Sequence, residues 1–131
     1  MIKKSVVVDT DIMIDLLRGV PEAKNLFLMI ERGDLIGYYS IISEVELFSS
    51  ESSGRPEIEM KINNLLQIMT LLSLDSDVAK IAGSFRRAKR LGIPDAIIIA
   101  SALKNKIRYI LTRNTKHFEN VDEHIKTEKP Y

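Results

Sequence analysis

Three acidic residues occupy positions from which an α/β protein could hold a metal ion: Asp9, Glu46 and Asp95. Asp9 ends the apolar run Val6-Val7-Val8, Glu46 follows the run Tyr38-Tyr39-Ser40-Ile41-Ile42, and Asp95 comes directly after Pro94. In a parallel sheet, strand ends and the starts of the following helices lie along one edge, and ligands bind there. Acids far apart in sequence can therefore share one crevice. Carboxylates brought together resist ionising unless a cation neutralises them. Oxygen-only ligands suit magnesium or manganese.

The elements that would carry these acids can be read from the pattern. Ser5–Val8 is a short β-branched run without polar alternation, as in a strand buried on both faces. Asp9 could help cap a helix over Ile12–Leu17, but Thr10 or Asp11 can do that job, which leaves Asp9 free. Gly19 and Pro21 break the chain after it. Glu22–Glu31 carries Ala23, Leu26, Phe27 and Ile30 at helical spacing, and Gly33 ends it. Leu35–Ile41 is a second strand, and Ser43–Phe48 is helical. The Ser-rich stretch Ser49–Pro56 is loop-like and too short for a domain linker.

Glu57–Ile68 returns to helical spacing, with Ile58, Ile62, Leu65 and Leu66 on one stripe. That stripe serves either the core or a docking surface. Met69–Leu74 is a third strand, and Asp75 or Ser76 caps a helix running to about Arg90. Gly92 and Pro94 separate it from a helix over Asp95–Asn105. Arg108–Thr112 is a fourth strand, and Ile125 belongs to a short fifth. Strands alternating with helices imply a three-layer α/β/α arrangement around a central parallel sheet of four to five strands.

The length of 131 residues suits a single domain over 1–131 that buries about two-thirds of its unfolded surface. With no cysteine in the chain, disulfides, zinc–thiolate sites and thiol catalysis are excluded. That absence is compatible with the cytoplasm, where the protein is expected. The N-terminal apolar run is interrupted by Asp9 and does not resemble a signal peptide. No run reaches the roughly 18 apolar residues of a membrane span. The net charge of +1 gives no bulk argument for a nucleic-acid partner, so such a surface must be local. Arg86, Arg87, Lys89 and Arg90 form one basic cluster, to which Arg113 and Lys116 can add. These would contact phosphates, or they form an ordinary solvated face. The chain has no Trp and few aromatics, so a base-stacking platform is not indicated.

Four segments together resemble the PIN-domain ribonucleases, and within them the VapC-type toxins of toxin–antitoxin pairs. They are Val6-Val7-Val8-Asp9-Thr10-Asp11, Ser40-Ile41-Ile42-Ser43-Glu44-Val45-Glu46-Leu47, Ile93-Pro94-Asp95-Ala96 through Ala102, and Ile110-Leu111-Thr112-Arg113-Asn114-Thr115-Lys116-His117-Phe118. The resemblance makes Asp9, Glu46 and Asp95 the acidic core of the site, and Ser43-x-x-Glu46-Leu47 selects Glu46 over Glu44. Its fourth position falls at Asn114, where many relatives carry Asp; an Asn there can touch a metal or its water, or simply make a turn. His117 precedes Phe118 where many relatives again have Asp, and a contact with substrate or with the turn is expected of it. One or two metals remain open.

The resemblance implies a metal-dependent endoribonuclease using Mg2+ or Mn2+. Hydrolysis would leave a 3′-hydroxyl and a 5′-phosphate. It also implies an RNA substrate, a cognate antitoxin and a homodimer. Two alternatives stand beside it. One is a PIN-type nuclease of RNA maturation without an antitoxin. The other is a phospho-receiver module, with Asp75 as phosphate acceptor.

Overall fold

Val6, Val7 and Val8 are all buried, yet they serve opposite sides of a sheet. Val6 and Val8 join one apolar cluster and Val7 another. Strand β1 (Lys4–Val8) is therefore the unbroken apolar run of a strand covered on both faces. The same alternation places Tyr39 and Leu111 on the first side, and Tyr38 and Ile110 on the second. The computed structural model describes residues 3–131.

The sheet has five strands in the order β3-β2-β1-β4-β5, every neighbouring pair parallel. β2 is Leu35–Ser40, β3 Thr70–Leu72, β4 Tyr109–Leu111 and β5 Lys126–Glu128. Helices α1 (Thr10–Leu17), α2 (Pro21–Glu31) and α4 (Pro56–Gln67) supply Ile12, Met13, Leu26, Phe27, Ile30, Ile62, Leu65 and Leu66 to one core. Helix α3 (Ile41–Leu47) adds Leu47 to that core. Helix α6 (Ile93–Lys104) fills the other face with Ile98, Ile99 and Ala102, and α5 (Ser76–Lys89) packs on α6 through Val78 and Ala82.

The stripe on α4 thus belongs to the core: Ile62, Leu65 and Leu66 are buried and Ile58 packs against them. Close packing also explains Gly37 in β2. A Cβ there would lie 3.0 Å from Met69 and 3.1 Å from Ile30, so α2 can approach the sheet only over a bare backbone.

Some boundaries differ from the sequence reading, for local reasons. Pro94 does not precede α6 but sits in its first turn, where a missing N–H costs nothing. The Ser-rich stretch contains a 3-10 turn over Glu51–Gly54, closed by the Ser53 hydroxyl on the carbonyls of Phe48 and Ser50. β3 keeps only the residues that find a partner on β2. Asp75 caps α5 by accepting from Val78 N at 2.9 Å and is also paired with Lys104. Its oxygens therefore have a structural employment that a phosphate acceptor would have to give up.

In chain order the strands run outward from β1 to β3 on one side, then cross to β4 on the other. The crevice of such a sheet opens where the order reverses, beyond the carboxyl ends of β1 and β4. Asp9 follows β1, and Thr112, Arg113 and Asn114 follow β4. Among the described residues, no helix is long and apolar enough to cross a membrane.

Candidate active site

Asp9 leaves β1 in extended conformation and is itself the N-cap of α1, its Oδ1 accepting from Thr10 N at 2.8 Å. The sequence alone offers Thr10 and Asp11 for that cap as well as Asp9. The capping duty does not remove Asp9 from the crevice. Its Oδ2 accepts from the buried Thr112 hydroxyl at 2.8 Å, and its backbone N–H donates to Leu111 O at 2.9 Å. The end of β1 is thereby locked to the end of β4.

Thr10 and Asp11 have other work. The Thr10 hydroxyl lies 2.8 Å from Glu46 Oε1 and 2.8 Å from Ser43 Oγ. One hydroxyl proton cannot serve both, so Thr10 donates to the carboxylate and accepts from Ser43. This fastens α3 to α1 and orients Glu46. Glu44 turns elsewhere, beside Tyr39, where it adds to the upward push that burial gives the phenol. Asp11 Oδ2 accepts from Arg113 N at 2.9 Å and lies 3.5 Å from Asn114 Nδ2. Among the described residues, buried Asp11 Oδ1 has no hydrogen-bond partner.

Asp95 stands in the first turn of α6, where a helix favours negative charge. Its Oδ2 is 3.4 Å from His117 Nδ1. His117 is carried by a 3-10 turn over Thr115–Phe118, which the buried Phe118 anchors to the core. That turn begins after Asn114, whose carbonyl accepts from His117 N at 3.0 Å.

A cleft of about 410 Å³ is lined by Asp9, Thr10, Asp11, Ile14, Glu46, Pro94, Asp95, Asn114 and His117. All four residues singled out from sequence, Asp9, Glu46, Asp95 and Asn114, are on its wall. Sequence reasoning missed Asp11 and Thr112 as neighbours of these groups. The signal for Asp11 was its place two residues after Asp9, within the same turn.

The electrostatics are those of crowded acids withdrawn from water. Burial pushes the Asp9 carboxyl up from 3.8 to about 6, the Asp11 and Asp95 charges add to the rise, and hydrogen bonds from Thr112 and Thr10 oppose it. Burial also raises Asp95, with Asp11 again adding and His117 opposing. Among the described residues, no three of the acids and histidines are gathered closely enough to form a metal cage by themselves.

The donor chemistry nevertheless fits a hard cation. The cleft offers carboxylate oxygens and an amide, one buried carboxylate oxygen has no hydrogen-bond donor among the described residues, and burial, with the charge of Asp11 adding, raises two of the acids. Magnesium is commonly held by one or two carboxylates and keeps several of its waters. A loose arrangement of acids suits it better than a closed protein cage.

The PIN domain family model matches residues 6–124, and the chain belongs to that family. Among solved structures, a toxin–antitoxin complex from Klebsiella pneumoniae has a chain 28% identical, with a TM-score of 0.78 and coverage of 96% of this chain and 98% of that one. VapBC2 from Rickettsia felis, bound to a DNA fragment from its promoter, gives a TM-score of 0.78 at 16% identity, covering 95% of this chain and 97% of that one. FitAcB from Neisseria gonorrhoeae gives 0.74 at 20% identity, covering 95% and 97%. At 16% and 20% identity the likeness is one of fold. A comparison with curated proteins gives no match.

Proposed function

We propose that the protein is a metal-dependent endoribonuclease and the toxin of a toxin–antitoxin pair, of the VapC type. The observation that carries the nuclease reading is the convergence of Asp9, Glu46 and Asp95 in one cleft of a PIN domain. The toxin reading is supported by the likeness, along nearly the full length of both chains, to a component of the Klebsiella toxin–antitoxin complex.

Asp9, Asp95 and Glu46 are the groups that would hold Mg2+ or Mn2+. A bound divalent ion supplies a Lewis acid for the phosphodiester and lowers the pKa of its water. The chain's own contribution is positioning. Thr112 and the Thr10 N–H fix Asp9, the Thr10 hydroxyl fixes Glu46, and His117 restrains Asp95. Asn114, at the rim, presents an amide to the cation's water or to RNA. Hydrolysis by water would leave a 3′-hydroxyl and a 5′-phosphate.

Arg86, Arg87, Lys89 and Arg90 are exposed at the end of α5, and the chain passes from there directly into α6, whose first turn carries Asp95. Together with Arg113 and Lys116, these would contact RNA phosphates. A homodimer in the cytoplasm, inhibited by a cognate antitoxin, completes the reading.

The test is cleavage of RNA by purified protein with Mg2+ or Mn2+, with EDTA, and with the metal restored. Activity that disappears with EDTA and returns with metal is expected. Full activity in excess EDTA, with contaminating nuclease excluded, would remove the metal mechanism. Co-expression with the product of a small adjoining gene tests the antitoxin, and light scattering tests the dimer. A chain without such a neighbour would point to RNA maturation instead.

A further inference from the structure

Asp11 is absent from the acid set just assigned, yet among the described residues it carries the one buried side-chain oxygen of the cleft that has no hydrogen-bond partner. Its Oδ2 accepts from Arg113 N at 2.9 Å, and the Thr112 hydroxyl and Asn114 Nδ2 lie 3.3 Å and 3.5 Å from it. The Thr112 proton goes to the nearer Asp9 Oδ2 at 2.8 Å, so the second Thr112 contact sets two oxygens against each other without a hydrogen between them. Asp11 Oδ1 is buried and accepts from nothing. A carboxylate oxygen withdrawn from both water and donors calls for a positive partner.

Among the described residues, no cationic side chain fills that role. Arg113 gives its backbone N–H to Asp11 but sends its guanidinium to Asp15, with Nε 3.0 Å from Asp15 Oδ2. His117 faces Asp95. What lies in front of Asp11 is the cleft shared with Asp9, Glu46 and Asp95. Its charge bears on both neighbouring acids, adding to the rise of Asp9 and of Asp95.

We infer that Asp11 is a fourth carboxylate of the cation site, supplying from the first turn of α1 the negative charge that the neutral Asn114 does not supply from the end of β4. Asn114, whose amide points at Asp11, then orients that carboxylate. The inference rests on the nuclease reading above, since it concerns the same cation. The competing explanation is that Asp11 only caps the turn at Arg113.

Asn and Ser at position 11 both keep an acceptor for the Arg113 N–H while removing the charge, so they separate the two explanations. The measurement is Mn2+ binding to RNA-free protein, by calorimetry and by paramagnetic resonance of the free ion, with circular dichroism to confirm folding. D11N and D11S should bind Mn2+ at least about tenfold more weakly than the wild type, as loss of even an outer partner of a metal site does. D11N combined with Asn114→Asp, which moves the charge across the 3.5 Å gap, should recover affinity.

Unchanged Mn2+ affinity in folded D11N or D11S would overturn the inference. If Asp95→Asn weakens binding in the same assay, the nuclease reading would still stand. A wild type that binds no Mn2+ at millimolar concentration would overturn both.

Discussion

The Thr112 hydroxyl donates to Asp9 Oδ2 at 2.8 Å across 103 residues of chain. Thr112 is fully buried and its oxygen also accepts from Asn114 N at 3.0 Å. One side chain therefore orients Asp9 and shapes the turn that presents Asn114. Thr112→Val keeps the shape and removes both functions. A hydrogen bond to a charged group is worth about 1.5–3 kcal/mol, and urea unfolding should show a loss of that order. Thr112→Ser, which retains the hydroxyl, should lose clearly less. Equal stability for the Val variant and the wild type would mean that Asp9 is held by something else.

Asp9→Asn should separate stability from function. The folded-state pKa of Asp9 is raised, from 3.8 to about 6. The folded protein therefore binds this proton more tightly than the unfolded chain does. Protonating Asp9 stabilises the fold as pH falls from about 6 toward 3.8, and the ionised form is a burden above that window. The full shift corresponds to about 3 kcal/mol. Without metal at pH 7.5, Asp9→Asn should melt at a higher temperature than the wild type, and the difference should close at pH 4. Added Mg2+ should raise the melting temperature of the wild type, by binding only its folded state, and not that of the variant. A variant less stable at pH 7.5 would show that the capping and Thr112 contacts outweigh the buried charge.

What could be read in the sequence follows from how local the determinants are. Val6–Val8, β-branched with no polar residue, reads as a strand buried on both faces, and Ile62, Leu65 and Leu66 at helical spacing read as one stripe. The parallel sheet, and with it a crevice at the strand ends, follows from the alternation of strands and helices, whereas the order that puts β4 beside β1 is set by long-range pairing. The division of labour inside the crevice was not legible. Asp9, Thr10 and Asp11 are all good N-cap residues, so one sequence cannot say which caps. The choice is made by Thr112, Ser43 and Glu46, which reach α1 from distant parts of the chain. The α4 stripe was ambiguous for a similar reason, because spacing defines a face but not what covers it.

Asp15 is buried on α1 and takes the Arg113 guanidinium at 3.0 Å and the Tyr131 hydroxyl at 2.5 Å. Burial, and then Asp15, push the Tyr131 phenol strongly upward, so it stays a donor. Arg113→Ala would leave a buried carboxylate with one neutral partner. Arg113 itself is 48% exposed, which keeps the expected loss at about 1–3 kcal/mol, below that of a fully buried pair. Asp15→Asn combined with Arg113→Ala should recover part of that loss, because no charge is then stranded. Simple additivity of the two changes in urea denaturation would show that the pair is not coupled.

Asp95→Asn asks whether the first turn of α6 holds a functional carboxylate or only one that suits the helix. The substitution keeps size and polarity and removes one negative charge beside Asp11 and Asp9. A helix-end role alone is worth about 0.3–1 kcal/mol, and RNA cleavage would then persist. Burial already raises the Asp95 pKa, with the charge of Asp11 adding to it, so relief of that strain should offset the lost dipole contact and leave the melting temperature nearly unchanged. As a group that holds the cation, Asp95 should cost more than the roughly 10–100-fold that follows loss of outer partners at metal sites. Melting temperature and cleavage are compared for wild type and variant at saturating Mg2+. The expected result is a folded protein without appreciable cleavage. Near-normal cleavage by a folded Asp95→Asn protein would remove Asp95 from the site, and the proposed hydrolysis with it.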